Sequence, residues 1–269
     1  MQQQSWRLHG PGSLVSVVRG RADFKRFATR MPIELIILLA ATIGFVGGHI
    51  ALSHPLRAGA IAVLGEKGFR IAYSVVAAVS LVTAVIAFRF APRDPALWTA
   101  GIGLQLAYAG LTGLALVLLA GSLSGNPALL GPVSAGQANR SGKLERRLGH
   151  LPHGVFEITR HPMMFGIALW SSAEFLIAPD PRNFVFFGGL AVLAIYGSRA
   201  QDRKLTTLIG PSWVTWMKRT SFWPNLRRIA APGMLWLGAL IVWLGLTWIH
   251  TYPLHAPVGV WLFDSSVTG

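Results

Sequence analysis

The sequence predicts an all-α, polytopic integral membrane protein with about six transmembrane helices, and three observations support this fold class. First, 52% of the residues are hydrophobic and 13% are charged, against about 25% charged in an ordinary soluble domain. Second, the mean hydropathy is +0.51. Third, the apolar residues form long runs with few charges, and a run of about 18 or more such residues indicates a spanning helix. Together these features exclude a soluble globular domain.

Six apolar runs define the predicted spans. The first begins just after Pro32, which suits the first turn of a helix, and the third is rich in Gly and Ala, which favour close helix packing in lipid. The fifth is short for a bilayer. The predicted spans are Ile33–Leu52, Ile71–Phe88, Trp98–Leu119, Pro162–Ile177, Asn183–Gly197 and Met234–Ile249.

These spans divide the chain into three regions. Residues 1–30 form a basic N-terminal tail, residues 31–233 a membrane domain with five spans, and residues 234–269 the sixth span with a C-terminal tail. Trp213, Trp216 and Trp223 alternate with basic residues in the polar segment 198–233, which indicates a segment lying on the membrane surface. Tyr252 and Trp261 suit an interfacial aromatic belt.

The net charge of +14 is explained by the membrane rather than by nucleic acid. Lys and Arg fall almost entirely between the apolar runs, where they fix topology and contact anionic headgroups, and they form no basic and aromatic stripe on a soluble element. The loops after spans one, three and five carry 15 of the 24 basic residues, so the positive-inside rule makes this face cytoplasmic. The six basic residues of the N-terminal tail conflict with this orientation, because six spans place the tail on the opposite face.

The chain has no cysteine, which excludes disulfides, thiolate metal sites and a cysteine nucleophile. Its first thirty residues lack the apolar core and small-residue cleavage site of a secretory signal peptide. We therefore expect the first span to act as the insertion signal, and we expect the protein in the inner (plasma) membrane of a bacterium.

Three polar residues at membrane depth need a physical reason. His49 lies near the end of span one, His161 opens span four, and Glu174 lies deep in span four, on the same face as Trp170. The histidines and Arg160 also have ordinary interpretations, as partners of a backbone carbonyl or of a headgroup phosphate. A protonated Glu174 bonded to a neighbouring helix is the corresponding interpretation for the carboxyl group. Helix rise places Glu174 roughly 20 Å deeper than His161, so contact with His49 is not expected.

The chain resembles the NnrU family, which includes a ζ-carotene isomerase branch, from about Gly47 to Pro224. No single motif is specific to this family, but the set of motifs taken together is. The matching residues are Gly48-His49, Leu64-Gly65-Glu66-Lys67-Gly68-Phe69-Arg70, Tyr73-Ser74, Pro95-Ala96-Leu97-Trp98, Gly154-Val155-Phe156-Glu157-Ile158-Thr159-Arg160-His161-Pro162-Met163, Ala168-Leu169-Trp170, Ser198 to Arg203, and Thr220-Ser221-Phe222-Trp223-Pro224.

This resemblance implies a membrane protein that acts on an apolar, isoprenoid-like or carotenoid-like lipid within the bilayer. It also implies haem b held by histidines on different helices, with His49 and His161 as the cofactor-binding residues and His49 as an iron ligand. At the position of the family's next histidine this chain has Glu174, and carboxylate is an uncommon axial ligand for haem. Arg160, His161 and Glu174 are the catalytic candidates.

A more distant similarity joins the chain to isoprenylcysteine and phospholipid methyltransferases, which implies S-adenosylmethionine as the alternative cofactor and a lipid-borne methyl acceptor. The matching residues are Arg160, His161, Pro162, Gly166, Asp202, Leu205, Gly210, Trp213, Trp216 and Pro224. Met164 and Gln201 depart from that pattern. A third alternative is a non-catalytic accessory subunit or assembly factor with partners in a membrane complex.

Overall fold

A computed structural model describes residues 31–123, 125–127 and 148–251, and every regular element within these residues is a helix. Tyr252, Trp261, both predicted tails and most of the loop between spans three and four lie outside the described residues. The helices are α1 Ile33–Ser53, α2 Arg57–Phe90, α3 Ile102–Ser122, α4 Val155–Ile158, α5 Pro162–Ile177, α6 Pro181–Ile209, α7 Pro211–Arg219 and α8 Leu235–Thr251, with a 3₁₀ turn at Leu226–Arg228.

The six predicted spans correspond to α1, α2, α3, α5, α6 and α8, which confirms the all-α membrane fold class. Four of these helices, α1, α2, α3 and α6, are long and apolar enough to cross a bilayer, whereas α5 and α8 are shorter apolar helices. In the most apolar 18-residue stretch of α2, only 11% of the residues are buried inside the protein. An apolar outer surface of this kind suits contact with lipid chains rather than with water.

Three predicted boundaries were wrong. Helix α2 begins at Arg57 rather than Ile71, although its helical geometry is interrupted at Gly65, and α6 continues to Ile209 rather than ending at Gly197. Helix α3 begins at Ile102 rather than Trp98. Trp98 instead lies in the preceding turn, where its Nε1 donates to the Leu176 carbonyl at 3.1 Å.

The predicted surface segment 198–233 is instead packed against the helices for much of its length. Trp213 and Trp216 are 0% and 3% exposed, and both belong to a core cluster with residues of α3, α4 and α5, whereas Trp223 is half exposed. Backbone bonds tie the segment to the start of α5, since Arg160 N donates to the Ser221 carbonyl at 2.9 Å. The tryptophans therefore close the core at this end rather than anchoring a surface helix.

The spanning helices pack side by side in the order α8, α3, α5, α6, α1, α2. Glycines permit two of these approaches: Gly166 of α5 lies against Leu119 and the Ala115 carbonyl of α3, and Gly189 of α6 lies against Thr42 of α1. The row has two ends. We call the one that holds His54, Arg57, the start of α5 and the C-terminal half of α6 the cationic end.

Candidate functional site

A cavity of about 370 Å³ lies between α1, α2 and α6 at the cationic end. Its lining combines basic and hydroxyl side chains with apolar and aromatic ones, and no Asp or Glu of the described residues lines it. The polar lining consists of His49, Ser53, His54, Arg57, Arg70, Tyr73, Ser74, Gln201 and Lys204, and the apolar and aromatic lining includes Ile50, Phe69, Met164, Leu193 and Tyr196.

A short hydrogen-bonded chain joins α1 to α2 at this cavity. The Tyr73 hydroxyl lies 2.7 Å from His49 Nε2 and 3.0 Å from Ser53 Oγ. His49 and Ser53 are four residues apart on α1 and therefore share a helix face, while the Tyr73 and Phe45 rings pack against the imidazole. His49 Nδ1 is buried and has no hydrogen-bond partner among the described residues. These hydrogen bonds hold His49 in the cavity wall and leave its Nδ1 without a partner among the described residues.

Gly65 shapes the cationic wall of the cavity. Its backbone (φ 67°, ψ 169°) interrupts the helical geometry of α2, in a region that residues with a Cβ rarely occupy. In a straight helix Arg57 and Phe69 would stand roughly 18 Å apart along the axis, yet the Arg57 guanidinium carbon lies 5.6 Å from the Phe69 ring centroid. The kink therefore folds the start of α2 back toward the cavity.

Positive charge accumulates around His54, which lies between α1 and α2. Burial lowers the pKa of His54 below its usual value, and the nearby charges of Lys204 and Arg203 lower this pKa further. Arg57 Nε is buried and has no hydrogen-bond partner among the described residues. These groups favour an anion at the cavity.

The predicted residues Arg160 and His161 lie beside this cavity, in a closed cluster around Asp202 of α6. Arg160 Nε and Nη2 donate to the Asp202 carboxylate at 2.7–3.1 Å, and His161 Nε2 lies 2.9 Å from Asp202 Oδ1. The His161 side chain is 0% exposed, and Arg160 also packs over the Phe222 ring. The cluster joins the start of α5 to α6 and to the segment after α7. None of its three side chains lines the cavity, but their neighbours along the sequence Met164 and Gln201 do.

Glu174 lies in a different environment. A cavity of about 400 Å³ between α3, α5 and α8 includes Glu174, and the Tyr108 hydroxyl donates to Glu174 Oε1 at 3.2 Å. Trp243 Nε1 donates to Thr112 Oγ1 at 3.0 Å in the same cavity. Glu174 and His49 line different cavities.

The described residues do not fit haem b ligated by His49 and His161. His161 does not line the cavity that contains His49, and Nε2 of each ring lies within hydrogen-bond distance of another side chain, which leaves only Nδ1 of each ring without a partner among the described residues. Glu174 lies apart from both. Within the described residues no group of three His, Cys, Asp or Glu side chains lies close enough to hold a metal ion.

The residues of the methyltransferase similarity serve packing in this structure. A Cβ on Gly166 would lie 2.8 Å from Leu119 Cγ, so this glycine is required for the contact of α5 with α3. Trp213 and Trp216 are buried in the core, and Asp202 is bonded to Arg160 and His161. Of the matching residues, Leu205 lines the cavity between α1, α2 and α6.

Sequence reasoning missed Tyr73, Arg57 and Lys204 as site residues. Tyr73 had a signal, since it is one of only four tyrosines and lies within an apolar run next to Ser74. Arg57 and Lys204 had none, because each is one of many basic residues outside the predicted spans. Only the kink in α2 and the continuation of α6 bring them to one cavity.

Comparison with known proteins identifies one family. The family whose model matches residues 37–258 is described as "NnrU protein". No curated protein and no solved structure matches the chain.

Proposed function

Because the chain belongs to the NnrU family, we propose that it binds and acts on an apolar, isoprenoid-like lipid that enters from the bilayer into the cavity between α1, α2 and α6. The observation that supports this proposal is the His49–Tyr73–Ser53 chain in a cavity whose other walls include Phe69, Leu193 and Tyr196. Ligand sites of this kind are mostly apolar and have a few fixed polar groups.

The family resemblance adds to this support, because its motifs converge on the cavity. His49, Phe69 and Arg70 line it, as do Tyr73 and Ser74. The reaction class that the resemblance implies is isomerisation of a cis double bond. Substrate and product then contain the same atoms, so the reaction requires no second substrate. The His49 imidazole and the Tyr73 phenol would orient the isoprenoid chain of the substrate and hold a proton beside it.

Photocrosslinking tests the proposal. The full-length protein in phosphatidylcholine nanodiscs is irradiated with a diazirine analogue of geranylgeraniol, and the labelled peptides are mapped. We expect labelling of α1, α2 and α6, reduced by Tyr73→Phe and unchanged by Tyr108→Phe, which makes the matched change in the Glu174 cavity. Labelling confined to α3, α5 and α8 would contradict the proposal. Incubation of a poly-cis C40 polyene with the same nanodiscs, followed by chromatography, tests the isomerisation.

A further inference from the structure

The basic side chains of the cavity between α1, α2 and α6 have no anionic partners in the described part of the chain. Arg57, Arg70 and Lys204 line the cavity and form no ion pair there. Other arginines do have carboxylate partners: Arg160 lies 2.7 Å from Asp202, and Arg182 lies 3.6 Å from Asp180. Exposed basic residues such as Lys218 also form no ion pair within the described part of the chain, but Arg57 and Lys204 differ from them in being half buried.

Holding these cations together has an energetic cost. Arg57 and Lys204 are half buried, and their charges lie close enough to repel each other. A buried charge without a partner is unfavourable unless a counter-charge is supplied. Because Arg57 Nε is buried and lacks a partner, the guanidinium also has an unused hydrogen-bond donor facing away from bulk water.

The backbone adds to the positive potential. Helix α2 begins at Arg57, and its N-cap residue Leu56 makes no side-chain capping bond. The N-terminus of a helix carries a partial positive charge and unpaired N–H groups, which favour phosphate and other anions. The Arg57 N–H is bonded to the His54 carbonyl at 3.4 Å, so it is the helix dipole that adds to the charges of the side chains.

The remaining walls indicate that this anion carries an apolar chain. Ile50, Phe69 and Leu193 line the cavity beside the cations. The lipid-facing surface of α2 is strongly apolar, with Val63 84% and Ile71 67% exposed. A headgroup at the cationic end therefore allows a tail to lie along the helices.

We propose that the cavity binds the phosphate headgroup of an isoprenoid phosphate, held by Arg57, Arg70 and Lys204, with the isoprenoid tail along α1 and α2. This inference rests on the proposed function, from which it takes the isoprenoid tail. Arg and Lys both bind phosphate, and Arg does so through two parallel hydrogen bonds. His49 and Tyr73 then lie beside the part of the lipid next to the headgroup.

Equilibrium binding of radiolabelled geranylgeranyl phosphate to the full-length protein in phosphatidylcholine nanodiscs tests this inference. We expect saturable binding, with geranylgeraniol and inorganic phosphate each at least tenfold weaker as competitors. Arg57→Gln and Lys204→Gln should each weaken binding about tenfold or more. Lys218→Gln is the matched control, because Lys218 is an exposed cation of α7 that does not line the cavity. Its affinity should be unchanged, and thermal unfolding confirms that each variant is folded.

The outcomes separate this inference from the proposed function. Geranylgeraniol and geranylgeranyl phosphate could bind with equal affinity, with neither affinity changed by Arg57→Gln or Lys204→Gln. That result would overturn the phosphate site and leave the proposed isoprenoid function standing. Inorganic phosphate as tight as the lipid would show a site for free phosphate and overturn the inference. Equally effective competition by phosphatidylglycerol would show general headgroup contact, with the same consequence. Failure of both isoprenoids to bind would overturn both proposals.

Discussion

Asp202 is the residue on which the cationic end depends most. Its carboxylate is the counter-charge of Arg160, which is 8% exposed, and it also bonds the fully buried His161 side chain. Removing one partner of a buried ion pair leaves the other charge without compensation, which costs about 3–5 kcal/mol. We therefore expect Asp202→Asn to lower the free energy of unfolding by about that amount, measured by denaturant titration in detergent.

Glu157→Gln is the control for this prediction. The Glu157 carboxylate lies 3.5 Å from Arg228, whose side chain is 63% exposed, and exposed pairs contribute at most about 1 kcal/mol. A loss for Asp202→Asn no larger than that for Glu157→Gln would show that the buried cluster does not hold α5 to α6.

Glu174 is expected to act as a hydrogen-bond acceptor for Tyr108. Glu174→Gln keeps an acceptor oxygen at the same position, so its unfolding free energy should change by less than about 1 kcal/mol. Glu174→Leu removes the acceptor from the largely buried phenol and should cost about 1–3 kcal/mol. Thermal unfolding followed by tryptophan fluorescence measures both variants. A similarly large loss for both variants would indicate instead that the charge of Glu174 is required, because both substitutions remove it.

The chemical identities of the site residues were partly predictable from the sequence, whereas their groupings were not. His49, His161 and Glu174 stood out because polar groups at membrane depth are costly. Their separation into three environments depends on which helices adjoin, and hydropathy does not encode this. The partners Tyr73, Asp202 and Tyr108 come from residues 24, 41 and 66 positions away along the chain.

At the scale of elements, Gly189 sets the approach of α6 to α1. A Cβ at this position would lie 2.4 Å from Thr42 Cγ2, and Thr42 is buried and β-branched, so it cannot move aside easily. A Cβ on the adjacent Gly188 would meet nothing within 4 Å. We expect Gly189→Ala to cost about 1–3 kcal/mol and Gly188→Ala to be neutral or slightly stabilising, as measured by thermal unfolding. Equal effects of the two substitutions would contradict this packing.

Hydropathy predicted the positions of the six apolar helices because the bilayer selects apolar runs directly. It could not predict the turns of α2 before Ile71 or those of α6 after Gly197. The added turns of α6 are polar and basic, so the apolar signal ends while the helix continues. Residues 58–64 of α2 are apolar, but the glycine-containing and charged stretch of residues 65–70 separates them from the later apolar run. The same limitation explains why the burial of Trp213 and Trp216 was not predicted. Aromatic and basic residues alternate both in a surface helix and in α7, which buries its aromatic face.

Charge is distributed unequally over the whole molecule. Of the 14 basic residues in the described part of the chain, 11 lie in segments at the cationic end, whereas Arg89, Arg93 and Arg182 are near the opposite end. There the turn before α3 meets the turn before α6, since Leu97 N donates to the Pro179 carbonyl at 2.9 Å. From this asymmetry and the positive-inside rule we propose that the cationic end is cytoplasmic.

Cysteine labelling tests this orientation, because the natural chain contains no cysteine. Single-cysteine variants Leu56→Cys and Lys218→Cys place a thiol at the cationic end, and Arg93→Cys places one at the opposite end. In intact cells we expect a membrane-impermeant maleimide to label only Arg93→Cys, and in opened cells to label all three. Labelling of Leu56→Cys and Lys218→Cys from opposite sides would contradict the helix arrangement itself. Labelling of both from outside would preserve the arrangement but reverse its orientation, and the basic residues of the N-terminal tail would then decide topology.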